Sequence, residues 1–170
     1  MGVMSVKLKN LYAQAVVFGV IVSGRKSMHH NYDVDKLRVI FVDTFKKMKL
    51  SLALTDLEKQ IAYVIGLYPQ YHQYLSDYQQ TGRMYESDDS NPFLTLSLHV
   101  AILEQVSTNR PEGILDLYHL ATGYIAAIEV EKLMAGVLYD QMHEALLQGH
   151  PPDESEYLQK LKNALLQEKS

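Results

Sequence analysis

A histidine and a glutamate face the predicted core of this protein, where polar side chains are uncommon. At about 100° of helical rotation per residue, His99 falls between Leu103 and Val106, on the apolar side of its helix. Glu131 falls beside Leu138 on the apolar face of a long helix further along the chain. A carboxylate in a core is costly unless it is paired, hydrogen-bonded or bound to a metal ion. These two residues are therefore the first candidates for chemistry.

Two interpretations of His99 and Glu131 stand side by side. In the first, which we favour, the imidazole donates to the carboxylate and the pair closes the core. In the second, both residues bind a divalent metal ion or act as an acid and base pair. His72, which follows a turn of tyrosines, is the third candidate ligand. Metal sites in helical bundles generally take four or more ligands, so these three residues alone leave such a site incomplete.

Other histidines with suggestive spacing lie on polar faces. Asp140 and His143 have the acid-x-x-His spacing that carboxylate metal sites use in bundles. Their helical positions place them among charged residues on the solvated side of the long helix. His119 lies beside Asp116 on the polar side of its own helix. We therefore predict that these side chains are exposed to solvent.

The composition argues against several classes of function. The 170 residues contain no cysteine, which excludes disulfides, thiol nucleophiles and thiolate metal sites. The net charge of -4 and the pI of about 5.9 argue against nucleic-acid binding as the main role. Among the twelve tyrosines, Tyr71, Tyr74 and Tyr78 recur at helical spacing, which predicts half-buried packing rather than a stacking platform.

The elements that must position these residues are all predicted to be helices. Apolar residues recur every three or four positions over residues 33–50, and no convincing strand pattern appears. Thr55 and Glu58 have the spacing of a capping box, and Leu57 leads the buried stripe that follows. The sequence therefore predicts an all-α protein, a single bundle of about six helices.

Prolines and a glycine mark the later boundaries. Pro69 ends or kinks the second helix. Pro92 opens a helix that is apolar nearly all round, which is typical of the buried centre of a domain. Pro111 is predicted at the first position of the next helix, which starts at about Glu112. Gly149 ends the long helix that carries the candidate glutamate.

The first 27 residues are predicted to stand apart from the helical-bundle domain at residues 28–170. Lys7 and Lys9 precede a mostly apolar run over residues 11–22, a pattern that resembles a signal peptide. The run is shorter than the roughly 20 apolar residues that span a bilayer. An over-called start, with translation beginning at Met28, and a genuine extension are equally good interpretations, and secretion is the lesser one. We expect a cytoplasmic protein.

Five short segments carry a resemblance to a known family. They are Tyr68-Pro69-Gln70-Tyr71-His72, Asn91-Pro92-Phe93-Leu94, residues 98–105, Arg110-Pro111, and Pro151-Pro152-Asp153-Glu154 with Tyr157-Leu158. Together they resemble a bacterial family, domain-of-unknown-function family 1841, over roughly residues 33–166. The resemblance implies a small helical protein with no assigned activity.

At several positions the chain departs from that family's pattern. The resemblance implies histidines at positions 68 and 95 and beside the glutamate at 131, with an acid at position 70. This chain has at those positions Tyr68, Thr95, Lys132 and Gln70. The matching residues are His72, His99, Glu104 and Glu131. If the pattern forms a metal cluster of histidines and carboxylates, this member has lost much of it.

The residues together favour a cytoplasmic helical-bundle protein without catalysis of its own. We predict that it acts by binding a protein partner or by self-association, with no membrane span and no nucleic acid. The alternative is a metal-binding or metal-dependent bundle that uses His99, Glu131 and His72. Whether the protein is an enzyme stays open at this point.

Overall fold

The described part of the chain is built from helices. The computed structural model describes residues 34–78 and 92–168. Its elements are α1 (Val34–Lys49), α2 (Asp56–Leu67), a 3-10 turn (Pro69–Tyr71), α3 (His72–Ser76), α4 (Pro92–Thr108), α5 (Ile114–Thr122), α6 (Ala127–Gln148) and α7 (Glu154–Gln167). The prediction of an all-α bundle is confirmed for these residues, whereas the predictions for residues 1–27 lie outside them. Within the two described stretches, no helix is long and apolar enough to cross a membrane.

Helix α4 is the centre of the bundle. Its sequence is apolar on nearly every side, and Phe93, Leu96 and Ile102 are fully buried. It packs against α2, α5 and α6, and α6 packs in turn against α7. Helix α1 contacts α2 and α3. A helix without a polar face must be covered on all sides, and the predicted central position of this helix is confirmed.

The ring of Phe93 joins α1 to α4. Phe41 of α1 meets it edge-on, with 6.4 Å between the ring centroids, and Tyr78 meets it edge-on at 5.5 Å. The guanidinium carbon of Arg38 lies 5.6 Å from the centroid of the same ring. Edge-on aromatic pairs contribute about 0.5–1.5 kcal/mol beyond the area that they bury. This one side chain therefore holds together parts of the chain that are far apart in sequence.

The start of α5 differs from the prediction. The helix begins at Ile114, two residues later than predicted, because Gly113 adopts a left-handed φ of 99° immediately before it. Asn109 supplies the cap, since its Oδ1 accepts from the backbone N–H groups of Gly113 and Leu115, each at 3.1 Å. Pro111 therefore precedes the helix and does not open it.

The burial of Leu57 was also predicted wrongly. The side chain was expected to lead the buried stripe of α2, but it is 47% exposed. The buried stripe begins one turn later, at Ile61, and continues through Val64 and Ile65. The first turn of α2 is fixed by a polar cap, so the helix starts before its core contacts do.

That cap is the predicted capping box, and it is confirmed. Thr55 Oγ1 accepts from the Glu58 amide at 3.3 Å, and the Glu58 carboxylate accepts from the Thr55 amide at 2.8 Å. Lys47, near the end of α1, donates to the same carboxylate at 2.6 Å. These hydrogen bonds lower the pKa of Glu58 from 4.5 to about 2. The bond from Lys47 has the largest effect, and the bond from the Thr55 amide has the second largest.

We expect the Glu58 carboxylate to stabilise the fold above its ordinary pKa of 4.5 and to lose that effect as the pH falls to about 2. The folded state binds fewer protons at this group than the unfolded state does, so acid favours unfolding. Thermal melts of the wild type and Glu58→Gln, from neutral to acid pH, measure the effect. The difference between the two melting temperatures should disappear as the pH falls from 4.5 to about 2. A difference that stays constant with pH would contradict the stabilising role of the Glu58 carboxylate.

Candidate functional site

The carboxylate of Glu131 is the centre of a buried hydrogen-bond network. The residue lies in the second turn of α6 and is only 3% exposed. Its Oε2 accepts from His99 Nε2 at 2.8 Å, and its Oε1 accepts from the Tyr118 hydroxyl at 3.0 Å. The Tyr63 hydroxyl makes a longer bond to Oε2 at 3.4 Å. Three donors around one carboxylate satisfy a group that would otherwise be costly to bury.

His99 connects this carboxylate to a second tyrosine. The imidazole lies on α4, is completely buried, and places its Nδ1 2.9 Å from the Tyr68 hydroxyl. Because Nε2 faces a carboxylate, that nitrogen carries a proton in the neutral ring, and Nδ1 is left as the acceptor. The Tyr68 hydroxyl then donates to Nδ1. With this assignment, each donor in the series of hydrogen bonds that joins Tyr68, His99 and Glu131 meets an acceptor.

Tyr68 is held by the end of α2. It follows the last residue of that helix, with φ of -125° and ψ of 63°, and its amide bonds to the Ile65 carbonyl at 3.2 Å. Its ring stacks on Tyr71 and meets His99 edge-on, with 5.6 Å between the centroids in both pairs. Burial, and the nearby negative charges that include Glu131, raise the pKa of Tyr68 to about 12. The phenol therefore keeps its proton at neutral pH, as a donor to His99 requires.

The two tyrosines on Glu131 lie between the core and the surface. The pKa of Tyr118 is raised to about 12, mainly by burial and next by its hydrogen bond to Glu131. Burial and the same carboxylate also raise the pKa of Tyr63, although its side chain is 47% exposed. The network therefore runs from the buried imidazole to solvent through phenol rings. We refer to these five residues, Tyr63, Tyr68, His99, Tyr118 and Glu131, as the Glu131 network.

His72 lies apart from this network. Its Nε2 donates to the Ile65 carbonyl at 2.9 Å, and its ring packs against Phe45 with 4.8 Å between the centroids. The same carbonyl also accepts from the Tyr68 amide, so His72 adds a second hydrogen bond at the end of α2. The structure thus brings two of the three candidate ligands together and gives the third a hydrogen bond elsewhere.

The metal hypothesis for His99, Glu131 and His72 stays a prediction. In the described stretches, no three histidine, aspartate or glutamate side chains gather in an arrangement that could hold a metal ion. The hydrogen bond between His99 and Glu131 occupies one ring nitrogen and one carboxylate oxygen, Nε2 and Oε2, that a metal ion could otherwise use. Of the two interpretations of this pair, the geometry supports the polar pair that closes the core.

The histidines that were assigned to polar faces are exposed as predicted. Asp140 and His143 both face solvent on α6, as do Asp116 and His119 on α5. The tyrosines of the Glu131 network, by contrast, were not identified from the sequence. A buried carboxylate requires donors, but with twelve tyrosines in the chain no spacing indicates which of them supply the donors.

The order of groups from Tyr68 to Glu131 is that of a nucleophile, a base and an orienting carboxylate. In hydrolytic triads the first group is activated when the imidazole takes its proton. Here that group is a phenol with a raised pKa, buried beneath the surface, so its ionisation is unfavourable. The geometry is suited to holding and moving a proton between Tyr68 and His99, and less suited to attack on a substrate.

Fold and site together define a class of protein, a helical bundle closed by a buried network of histidine, glutamate and tyrosines. The chain belongs to the family described as a domain of unknown function (DUF1841), whose model matches residues 33–163. The resemblance drawn from the five short segments is thereby confirmed. No curated protein and no solved structure matches the chain.

Proposed function

We propose that this protein works by self-association, in the cytoplasm and without catalysis of its own, through the connection between α1 and α2. We call residues 50–57, which are this connection and the first two residues of α2, the leucine loop. Leu50 is 68% exposed, Leu52 is 53% exposed and Leu57 is 47% exposed. Isolated exposed leucines are common, but three within eight residues are a concentration of exposed apolar side chains, and such concentrations are typical of interaction sites. This cluster is the observation that carries the proposal.

The leucine loop is held by its own backbone and not by burial. The Leu50 amide bonds to the Lys46 carbonyl at 3.1 Å, and the Leu52 amide bonds to the Lys47 carbonyl at 3.0 Å. Ser51 between them has a left-handed φ of 52°, which a non-glycine residue adopts only where its surroundings fix it. The side chains are therefore presented outward on a defined backbone, and binding would cost little further ordering.

The charges around the leucine loop favour a second copy as the occupant. Lys47 pairs with Glu58 at 2.6 Å, and Lys59 pairs with Asp56 at 2.8 Å. Acids and lysines over residues 43–59 nearly balance, so two such loops can meet without strong repulsion. A strongly acidic or basic partner would find little unpaired charge there. Apolar side chains are self-complementary, which suits a two-fold contact between identical loops.

Mass measured by sedimentation over a concentration series tests this proposal. A contact built on three leucines is small, so we expect a weak dimer whose dissociation constant is on the order of micromolar. The double variant Leu50→Ser/Leu52→Ser should stay monomeric at concentrations where the wild type dimerises.

Leu147→Ser is the matched control, because Leu147 is 61% exposed but lies on α6, outside the leucine loop. That variant should dimerise as the wild type does. A wild type that remains monomeric throughout the series, or equal dimerisation of all three proteins, would overturn the proposal.

A further inference from the structure

A line of aromatic rings leads from the surface to the Glu131 network. Tyr74 on α3 is 44% exposed, and its ring centroid lies 6.5 Å from that of Tyr71. Tyr71 stacks on Tyr68 at 5.6 Å with an angle of 14° between the planes. Tyr68 in turn meets His99 edge-on at 5.6 Å. We call Tyr74, Tyr71 and Tyr68 the tyrosine ladder.

We infer that Tyr68 is a redox-active tyrosine, which loses one electron through the tyrosine ladder while its phenolic proton passes to His99 Nδ1. The oxidant is a metal complex that accepts one electron at high potential, such as a ruthenium(III) polypyridyl complex; it acts at the surface beside Tyr74 and is reduced by one electron. The O–H bond of Tyr68 breaks and an N–H bond forms at Nδ1. The products are a neutral tyrosyl radical and an imidazolium, and a one-electron reductant reverses the step.

The geometry prepares His99 to receive this proton. Its Nδ1 already accepts from the Tyr68 hydroxyl at 2.9 Å, so the proton moves along an existing hydrogen bond. Its Nε2 donates to Glu131 at 2.8 Å, which fixes the tautomer and stabilises the imidazolium once it forms. A base that lies within hydrogen-bond distance of the proton that it takes meets the first requirement for general base catalysis.

The charge balance of the buried groups favours the oxidised state. Before the step, with the carboxylate of Glu131 ionised and His99 neutral, the buried groups carry one negative charge. Afterwards the imidazolium and the carboxylate form an ion pair beside a neutral radical. The new imidazolium has a desolvation cost of its own, which its attraction to the carboxylate at 2.8 Å offsets. Oxidation of Tyr68 is therefore easier here than oxidation of a buried tyrosine without such partners.

Two further observations agree with a coupled step. The pKa of Tyr68 is raised to about 12, so the phenol still carries its proton at neutral pH when the electron leaves. The chain contains no tryptophan and no cysteine, so neither an indole nor a thiol competes with the tyrosines for oxidation. The inference is independent of self-association, since the tyrosine ladder and the Glu131 network lie within one chain.

Flash photo-oxidation by a dissolved ruthenium tris-bipyridine complex, with a sacrificial electron acceptor, provides the test. Paramagnetic resonance should detect a long-lived tyrosyl radical in the wild type, and Tyr68→Phe should lose this component. In His99→Gln, which lacks the proton acceptor, its formation should slow at least about tenfold. Tyr124→Phe is the matched control, because the Tyr124 phenol bonds to the Leu165 carbonyl outside the Glu131 network, and it should keep the signal.

A measurement on the wild type alone guards against variants that fail to fold. The g-tensor of the radical should show a hydrogen bond from a positively charged donor, as an imidazolium at Nδ1 requires. Formation of the radical should also be slower in heavy water. An unchanged long-lived radical in folded Tyr68→Phe, or a wild-type radical without that hydrogen bond, would overturn the inference.

Discussion

Replacing Glu131 with alanine is expected to lower the free energy of unfolding by about 3 kcal/mol. The substitution removes the acceptor of the buried His99 Nε2–H and of the Tyr118 hydroxyl, at 2.8 Å and 3.0 Å. Each buried donor without a partner costs about 1–3 kcal/mol, and a cavity adds to that cost. Urea denaturation followed by circular dichroism measures the difference.

Glu129→Ala is the matched control on the same helix. Glu129 is exposed and pairs with exposed Lys132 at 3.3 Å, so its loss should change stability by no more than about 0.5 kcal/mol. His99→Ala should be nearly as harmful as Glu131→Ala, and the double variant should lose less than the sum of the two. Equal stability of the Glu131 and Glu129 variants would contradict the role of the Glu131 network.

The same preparations test the metal hypothesis. Metal content is measured on wild type, His99→Ala and Glu131→Ala, purified without a histidine tag or chelator. Near-stoichiometric metal in the wild type that both variants lack would establish a metal site that includes this pair. A wild type without metal, together with two destabilised variants, would establish the hydrogen-bonded pair.

Phe93→Ala is expected to cost about 4 kcal/mol of unfolding free energy, which is a large part of the stability of a typical domain. The ring is completely buried, and its loss leaves a cavity that Phe41 and Tyr78 line from two sides. It also removes the surface on which the Arg38 guanidinium lies. The same denaturation experiment measures the effect.

Leu120→Ala is the matched control for this large-to-small change. Leu120 is 53% exposed on α5, so truncation should leave stability within about 0.5 kcal/mol of the wild type. A cost of less than about 1 kcal/mol for Phe93→Ala would mean that the ring does not join α1 to α4 as described.

Most of the fold could be predicted because apolar periodicity and helix caps are local signals. The all-round apolar sequence of the Pro92 helix indicated its central position, and the spacing of Thr55 and Glu58 indicated the cap of α2. The errors arose where one local signal competed with another. Pro111 suggested a helix start, but Gly113 adopts a positive φ and Asn109 supplies the cap.

The candidate site could be predicted only in part, because a helix face shows that a residue points inward but not what it meets. The inward positions of His99 and Glu131 followed from their helix faces, and their contact is confirmed at 2.8 Å. Tyr68 and Tyr118 reach the pair from α2 and α5, and such tertiary contacts leave no periodic trace in one sequence. The hydrogen bond of His72 to a backbone carbonyl, at 2.9 Å, could not be predicted either, because a sequence pattern does not show such a partner.

The central position of α4 has a consequence for the order of events during synthesis. The ribosome releases α1, α2 and α3 before α4, so the apolar faces of the first three helices are made before the helix that covers α2. Phe41 in particular emerges about fifty residues ahead of Phe93, the ring that it packs against. Residues 34–78 therefore cannot bury their apolar faces against α4 until Thr108 has emerged from the ribosome.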